Sequence, residues 1–249
     1  RSKLFCIATY PFANYIVSPY NCNVGNYDKK KISYNGYQKI AYLHPNYIKI
    51  NHKVIKKMKL NNKPYYLIRI VNLKAIHDIE GSHKGLSLEI LKKIISKLEK
   101  TGKVFINSEG NIYPELKQYN LKIGVNEIHS VIANADLFIG DSQTMSAEAG
   151  LLGTPFIRFN DFVGKISYLN DMENKYKLGF GVRTDELSKL FSTIDFIINN
   201  NLKQKHFKKS LALFEDKINV TDFWVWLVDD FPNSIDIISK NPNYQYKFK

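Results

Sequence analysis

The sequence predicts an α/β protein with a doubly wound parallel sheet, followed by a helical C-terminal segment. Between residues 65 and 158, buried-type apolar segments alternate with segments of helical periodicity, which is the pattern of a parallel sheet covered by helices on both faces. The 249 residues suffice for one generous domain with a substantial core. The composition, with 44% hydrophobic and 24% charged residues, is typical of a soluble globular protein. No uninterrupted apolar run approaches the length of about 18 residues that a membrane span needs.

The first predicted strand is the apolar run at residues 65–71. A loop that contains Gly81 and Gly85 follows it. Apolar residues then recur at helical spacing from 86 to 98, and Gly102 ends this segment. The sequence therefore predicts a strand, a loop and a helix in succession.

The same alternation continues along the chain. In a parallel sheet the carboxyl ends of all strands lie at one edge, so we expect the loops after residues 71 and 140 to open on the same side. The further predicted elements are strands at 103–107, 121–125, 136–140 and 154–158, and helices at 126–135 and 144–152.

The C-terminal part is predicted to be helical. Thr184 is a suitable N-cap, and an apolar face follows it from 187 to 198. Further helices are predicted at 208–218 and 221–231. The polar residues 241–249 form a tail that we expect to fray.

The N-terminal part has a weaker pattern. Residues 2–9 resemble a strand, and because the sequence opens on Arg1 rather than on methionine, we expect the numbering to begin inside a longer protein. Residues 21–64 are rich in Tyr, Asn and Lys with little sustained periodicity, so a linker or irregular entry segment is predicted there. Cys6 and Cys22 are the two cysteines, and neither a disulfide framework nor a signal peptide is recognisable, which favours a cytoplasmic location.

The net charge of +13 raises the question of nucleic-acid binding. The distribution argues against it, because only four residues are arginines and the lysines are scattered among Asn, Ile and Tyr. A soluble anionic ligand or an anionic membrane surface fits this distribution better.

The segment at residues 139–155 is the most specific candidate site. It predicts a strand, a turn at Asp141 and Ser142, and a helix whose free first-turn N–H groups suit a diphosphate. Glu148, further along the same helix, would accept hydrogen bonds from ribose hydroxyls. The alternative is that Asp141 or Ser142 only caps the helix and that Glu148 is a solvated helical residue.

Polar residues of the loop after the first strand are further candidates. Arg69 or Lys84 would neutralise a diphosphate, and His77 with Asp78 would act as a phosphate donor or an acid–base pair. The alternative is a loop held together by its own polar side chains. His77, His83 and Asp78 also suggest a metal site, but no further ligand lies at a familiar spacing, so no metal is predicted.

Three further features have a binding and a structural interpretation. His129, in the helix at 126–135, would lie near a bound base or be a partly buried structural histidine. His44 precedes a proline and is expected to be structural. Trp224, Trp226 and Phe231 would form a membrane or partner surface, or part of the core.

The candidate site resembles the donor-nucleotide segment of glycosyltransferase-B proteins, including non-hydrolysing UDP-N-acetylglucosamine 2-epimerases. Those epimerases carry a Ser-Gly-Gly-x-Gln-Glu-Glu pattern here. Ser142 matches the family serine that meets phosphate, and Glu148 matches the glutamate that holds ribose. Gln143 and Thr144 stand in place of the two glycines and residues 146–147 in place of the Gln-Glu pair. The matching residues imply nucleotide binding, to which Gln143 and Thr144 would contribute.

Four segments have the order and spacing of motifs that occur together in one family: residues 42–47 (Tyr-Leu-His-Pro-Asn-Tyr), 69–71 (Arg-Ile-Val), 75–78 (Ala-Ile-His-Asp) and 140–145 (Gly-Asp-Ser-Gln-Thr-Met). That family is a bacterial and archaeal domain-of-unknown-function family related to glycosyltransferases. The similarity runs from about residue 9 to residue 178.

The resemblance implies a domain division. Residues 65–200 would form the Rossmann-like second domain of a glycosyltransferase-B fold, preceded by a remnant of the first domain at 1–20 and by the linker at 21–64. Residues 201–249 would be C-terminal helices and tail.

The resemblance also implies a function. The chain would be the sugar-nucleotide-binding part of a glycosyltransferase-like enzyme of surface-polysaccharide biosynthesis. A UDP-linked sugar would be its substrate, and no cofactor is expected. The acceptor would be a saccharide or a lipid-linked molecule. Peripheral contact with the inner membrane surface is expected, and the catalytic base would come from the other domain. The alternatives are a UDP-N-acetylglucosamine 2-epimerase-like enzyme and a non-catalytic nucleotide-binding or scaffold protein.

Overall fold

The computed structural model describes residues 3–58, 60, 63–71 and 85–249. The chain forms two compact units. The first consists of Arg1–Ile48 and Ala212–Lys249, and the second of Lys49–Leu211. The domain limits expected at residues 20, 64 and 200 stay predictions.

Strands and helices alternate along most of the described residues. The strands are β1 (Ile16–Pro19), β2 (Lys31–Tyr34), β3 (Tyr65–Ile70), β4 (Lys103–Ser108), β5 (Leu137–Gly140), β6 (Phe156–Phe159) and β7 (Gly179–Val182). The α-helices are α1 (Lys3–Thr9), α2 (Ile40–Leu43), α3 (Lys53–Lys57), α4 (Leu88–Leu98), α5 (Ile128–Asn134), α6 (Gln143–Leu151), α7 (Ser167–Asn170), α8 (Leu187–Asn199), α9 (Lys203–Asp216), α10 (Val220–Asp229) and α11 (Asn233–Lys240). Within the described ranges, no helix has both the length and the apolar character that crossing a membrane requires.

In the first unit, β1 and β2 pair in parallel, with Ile16 opposite Lys31. The expectation of a strand at residues 2–9 is wrong, because the described part of this segment, Lys3–Thr9, is helix α1, in which the Thr9 hydroxyl donates to the Phe5 carbonyl oxygen at 2.8 Å. The described part of 21–64 also holds more regular structure than expected, including β2 and α2. These elements are too short for the periodicity of the sequence to show them.

Aromatic side chains form much of the core of the first unit. Phe223 contacts Tyr34 and Trp226, and the Trp226 ring also lies 5.3 Å from the Phe248 ring. His44 packs edge-on against Phe214 at 5.6 Å, in a structural position.

The tail expected to fray is ordered as a 3-10 helix, Pro242–Phe248, so that expectation is wrong. Gln245 in this helix is buried and accepts a hydrogen bond from the backbone N–H of Asn35. Trp224, Trp226 and Phe231, for which a surface and a core interpretation were open, differ in exposure. Trp226 belongs to the aromatic core, whereas Phe231 is 57% exposed.

The second unit contains a parallel five-stranded sheet in the order β4-β3-β5-β6-β7. The chain passes from β3 outward to β4 and then returns to β5 on the other side of β3. The strand order therefore reverses between β3 and β5, where sheets of this kind bind ligands at their carboxyl edge.

Helices cover both faces of this sheet. Ile68, Ile139 and Ile157 face the core that contains the buried sides of α4 and α8. Phe156, on the opposite face, lies against α6, where an added Cβ on Gly150 would come within 2.8 Å of its ring. The predicted fold class, an α/β doubly wound parallel sheet with a helical C-terminal segment, is confirmed.

Two details of the sheet differ from the sequence prediction. Residues 121–125 are not a strand: an isolated bridge pairs Asn120, just before this segment, with Ile106 of β4, and the Leu121 N–H donates to the Ile106 carbonyl oxygen at 2.8 Å. The strand β7 was not predicted. Its glycines interrupt the apolar pattern, and packing requires them, since a Cβ on Gly179 would lie 2.5 Å from the Phe156 ring.

Candidate functional site

The candidate site lies where the strand order reverses, at the carboxyl ends of β3 and β5. These two strands are direct neighbours, with Arg69 in register with Gly140. The turn after β5 is tied to the end of β3, because the Val71 N–H donates to Asp141 Oδ1 at 2.9 Å. The chain therefore leaves β3 and β5 at neighbouring points of the carboxyl edge, as the topology predicts.

Asp141 is a buried carboxyl group, 7% exposed. Burial raises its pKa to about 6, while hydrogen bonds from the backbone of Val71 and Leu86 and the charge of Arg69 act in the opposite direction. The Asn160 side chain also donates to its carbonyl oxygen at 3.1 Å. Asp141 therefore fixes the backbone on which α6 begins.

Ser142 is the N-cap of α6. Its Oγ accepts a hydrogen bond from the Met145 N–H at 3.3 Å, and its carbonyl oxygen accepts one from the Ser146 hydroxyl at 2.6 Å. The capping role considered as an alternative is thus present for Ser142. Gln143 is half-buried and Thr144 is exposed in the first turn, where the positive end of the helix dipole favours an anion.

Glu148 lies one and a half turns along α6 and is 7% exposed. The interpretation of Glu148 as a solvated residue is therefore wrong. His129, half-buried on α5, brings its Nε2 to 3.5 Å from Glu148 Oε2. The two residues, predicted separately to bind a nucleotide, lie next to each other.

A row of polar residues and glycines crosses the carboxyl end of the sheet on the face that α6 covers. Strand register places Asn107, Arg69, Gly140, Arg158 and Gly181 side by side. Since residues in register point to the same face, the two glycines leave space beside the two arginines. A Cβ on Gly140 would lie 3.0 Å from Arg69 Cβ.

Arg69 has protein partners in this row. Its guanidinium donates to Asn107 Oδ1, and Nη2 donates to Glu109 Oε1 at 2.5 Å. The Glu109 side chain is 46% exposed. A diphosphate at this position would have to compete with Glu109, so the role of Arg69 in ligand binding stays a prediction.

An ion pair that involves the same row was not predicted from the sequence. Arg158 is fully buried, and its Nε and Nη2 donate to the two carboxylate oxygens of Glu173 at 2.8 and 3.0 Å. A lone arginine within the apolar strand β6 could have indicated this ion pair. Its partner, however, lies on a π-helical turn, Asp171–Lys175, that the sequence pattern does not show.

The remaining candidates, His77, Asp78, His83 and Lys84, lie outside the described residues. Their proposed contacts with a diphosphate stay predictions. In the described ranges, no three His, Cys, Asp or Glu side chains come together as metal ligands would.

A cavity of about 890 Å³ lies at the other end of the sheet. Its walls include Tyr65, Thr101 and Asp136, which stand at or just before the amino ends of β3, β4 and β5. Sheets of this class bind their ligands at the carboxyl ends, so this cavity is separate from the candidate site.

The sheet topology and the helix N-terminus at its reversal point define a Rossmann-like α/β protein. The chain belongs to the family described as protein of unknown function (DUF354), whose profile matches residues 7–222. This agrees with the resemblance seen in the sequence. A search of curated proteins finds no match.

Solved structures similar to the chain include the wall teichoic acid polymerase TagF, at 13% identity and a TM-score of 0.48, with 86% of this chain and 56% of that chain covered. A UDP-N-acetylglucosamine 2-epimerase is similar at 11% identity and a TM-score of 0.44, over 83% of this chain and 57% of that one. The UDP-GlcNAc 2-epimerase from Neisseria meningitidis bound to UDP-GlcNAc is similar at 13% identity and a TM-score of 0.38, over 84% and 61%. The chain thus spans little more than half the length of these proteins.

Proposed function

We propose that the chain is the part of a glycosyltransferase-like enzyme that binds a nucleotide-diphosphate sugar. The supporting observation is the placement of Glu148, which is buried, adjacent to His129 and on the helix that begins at the reversal point of the sheet. A buried carboxylate at this position suits a ligand that offers hydroxyl donors.

The helix α6 fits both halves of a ribosyl diphosphate. The first-turn N–H groups and the Thr144 hydroxyl would bind the diphosphate, assisted by Gln143. The Ser142 Oγ, which accepts the Met145 N–H, still has its own O–H to donate. Six residues of α-helix rise by about 9 Å, so Glu148 lies at the distance of the ribose from a diphosphate held at Ser142.

His129 would orient Glu148 and contact the nucleotide from α5. Its Nε2 faces the Glu148 carboxylate, so the imidazole can donate a hydrogen bond that holds the carboxylate in place. The carboxylate would then accept hydrogen bonds from the ribose hydroxyls.

In this proposal the reaction is glycosyl transfer, with UDP as the leaving group. The positive end of α6 would stabilise the charge that develops on the departing diphosphate. The acceptor would be a saccharide or a lipid-linked saccharide, and the catalytic base would come from the other domain. We propose a cytoplasmic enzyme of surface-polysaccharide assembly that contacts the membrane surface peripherally.

The experiment is thermal unfolding of the protein in millimolar UDP, CDP and GDP, with uridine as the uncharged control. A ligand at 100 times its Kd stabilises the native state by about 2.7 kcal/mol, which raises the melting temperature measurably. We expect UDP to raise it and uridine to leave it unchanged. An unchanged melting temperature with all three diphosphates would contradict the proposal.

Product analysis with UDP-sugars then defines the reaction. Transfer to an acceptor supports a glycosyltransferase. Conversion to the 2-epimer of the sugar would replace that assignment with an epimerase. Saturable UDP binding without turnover of any donor would leave a nucleotide-binding or scaffold role.

A further inference from the structure

We propose a second ligand site, for a small phosphorylated sugar, in a cavity along the outer edge of β7. The cavity has a volume of about 710 Å³ and is bounded by β7, α8, α9 and the π-helical turn. Pockets of about 300–1,000 Å³ hold molecules of this size. Four lysines share its wall: Lys177, Lys189, Lys205 and Lys209.

The cavity carries a net positive charge that the protein does not neutralise. Lys189 is paired with Glu186 at 3.0 Å. Among the described residues no carboxylate is paired with Lys177, Lys205 or Lys209. A wall that concentrates like charges attracts an anion.

The acidic residue in the wall does not offset these lysines. Glu173 is the acidic member of the residues that surround the cavity, and both of its carboxylate oxygens accept hydrogen bonds from Arg158. Its charge is therefore already matched by a buried guanidinium. The three lysines are left with a charge that a phosphate would balance.

The lysines are close enough to affect one another. The Lys209 ammonium donates to the Lys177 carbonyl oxygen at 2.9 Å. Burial lowers the pKa of Lys209, and the charges of Lys177 and Lys205 lower it further. An anion between them would relieve this repulsion.

His206 adds shape to the wall and no charge at neutral pH. It is buried, and its Nδ1 lies 3.0 Å from the Leu202 carbonyl oxygen. Burial lowers its pKa to about 4, so the imidazole is neutral at pH 7. The positive charge of the cavity therefore comes from the lysines alone.

The other side of the cavity suits a sugar ring. Phe180 and Phe196 meet edge to face at 6.1 Å and both line the cavity, and Phe196 is 49% exposed. Gly179 and Gly181 leave the neighbouring strand without side chains. Because β7 is the last strand of the sheet, its outer backbone groups can bond the hydroxyls of a sugar.

This site is independent of the one on α6. The strand β6 separates β7 from β5, at whose end α6 begins. The two proposals can therefore fail separately. Binding of a sugar phosphate in the cavity should depend on its lysines and not on Glu148, which distinguishes it from UDP binding at α6.

The experiment is calorimetric titration with glucose 1-phosphate, with glucose and inorganic phosphate in parallel. The test variant is Lys205→Ala/Lys209→Ala. The control is Lys208→Ala, which removes an exposed lysine of the same helix that does not line the cavity. Since a hydrogen bond to a charged group contributes about 1.5–3 kcal/mol, we expect the double variant to bind glucose 1-phosphate at least about tenfold more weakly.

We expect Lys208→Ala to bind as the parent does, and UDP affinity to be the same in all three proteins. We expect glucose to bind more weakly than glucose 1-phosphate. Lys205→Ala alone changes an exposed side chain and serves as a second variant if the double one does not fold. Equal affinity in the parent and the lysine variants, or no binding of glucose 1-phosphate to the parent, would overturn the proposal.

Discussion

His129 Nε2 lies 3.5 Å from Glu148 Oε2, so the helices α5 and α6, which precede and follow β5, together present one polar pair. Glu148 is nearly covered, whereas a third of the His129 side chain is exposed. The histidine is therefore the more accessible member of the pair, and it can hold in place the carboxylate that our proposal assigns to the ribose.

This relationship predicts that His129→Ala weakens UDP binding without unfolding the protein. Loss of one orienting hydrogen bond should cost about 0.5–1.5 kcal/mol, or roughly two- to tenfold in Kd. His52→Ala is the matched control, because His52 also contacts the α5 segment, through Asn134 at 2.8 Å, but lies away from Glu148. Equal affinities for the parent and both variants would show that His129 has no part in binding.

The ion pair between Arg158 and Glu173 predicts a strong, asymmetric effect on stability. Arg158→Met leaves a buried carboxylate without its partner, and removing one member of such a pair costs about 3–5 kcal/mol. Replacing both, with Arg158→Met/Glu173→Met, should recover most of this loss, because no unpaired charge remains. Urea denaturation measures both free energies. A double variant as unstable as the single one would show that the charge is not the cause.

Asp141 predicts a specific pH dependence of stability. Its pKa in the folded protein is about 6, above the about 3.9 of an unfolded chain, so the folded state retains a proton that the unfolded chain has lost. The stability of the parent should therefore fall as the pH rises from 4 to 7, by about 2 kcal/mol from this group. Asp141→Asn should lack this decrease. If the stability of the parent and that of Asp141→Asn changed with pH in parallel, this would contradict the raised pKa of Asp141.

Because the C-terminal residues form a 3-10 helix that packs against the core of the first unit, we predict that Phe248→Ala is destabilising. Phe248 packs against Trp226, and its carbonyl oxygen accepts the Asn219 N–H at 2.6 Å. Removing a half-buried ring should cost about 1–3 kcal/mol and alter tryptophan fluorescence. Asn243→Ala, an exposed position on the same 3-10 helix, is the control. Unchanged stability in both variants would mean that the tail does not contribute to the core.

Most of the strands that the sequence predicted share one property. The runs at β3, β5 and β6 are apolar because both faces of a parallel sheet are covered, so their composition alone identifies them. The strand β7 lacks that property. Gly181 is required because a Cβ there would lie 2.7 Å from Glu173 Oε2, a demand set by a contact outside the strand.

The part of the candidate site that depends on neighbouring residues in the sequence was predictable. Ser142 and its helix follow from local rules of capping, which act within a few residues. The approach of His129 to Glu148 joins two helices through the packing of the whole unit, so no local pattern could give it. The burial of Arg158 with Glu173 likewise depends on a π-helical turn that only the folded chain defines.

The most direct test of the central claim is titration of UDP into the parent and into Glu148→Gln, with Glu89→Gln as control. Glu89 is an exposed acidic residue of α4 that pairs with Lys93. If Glu148 holds the ribose, Glu148→Gln should bind UDP more weakly by about 1.5–3 kcal/mol, roughly 10- to 150-fold, with an unchanged melting temperature. Glu89→Gln should bind as the parent does. Unchanged UDP affinity in Glu148→Gln together with a lowered melting temperature would show that Glu148 is a structural residue and would contradict the nucleotide site.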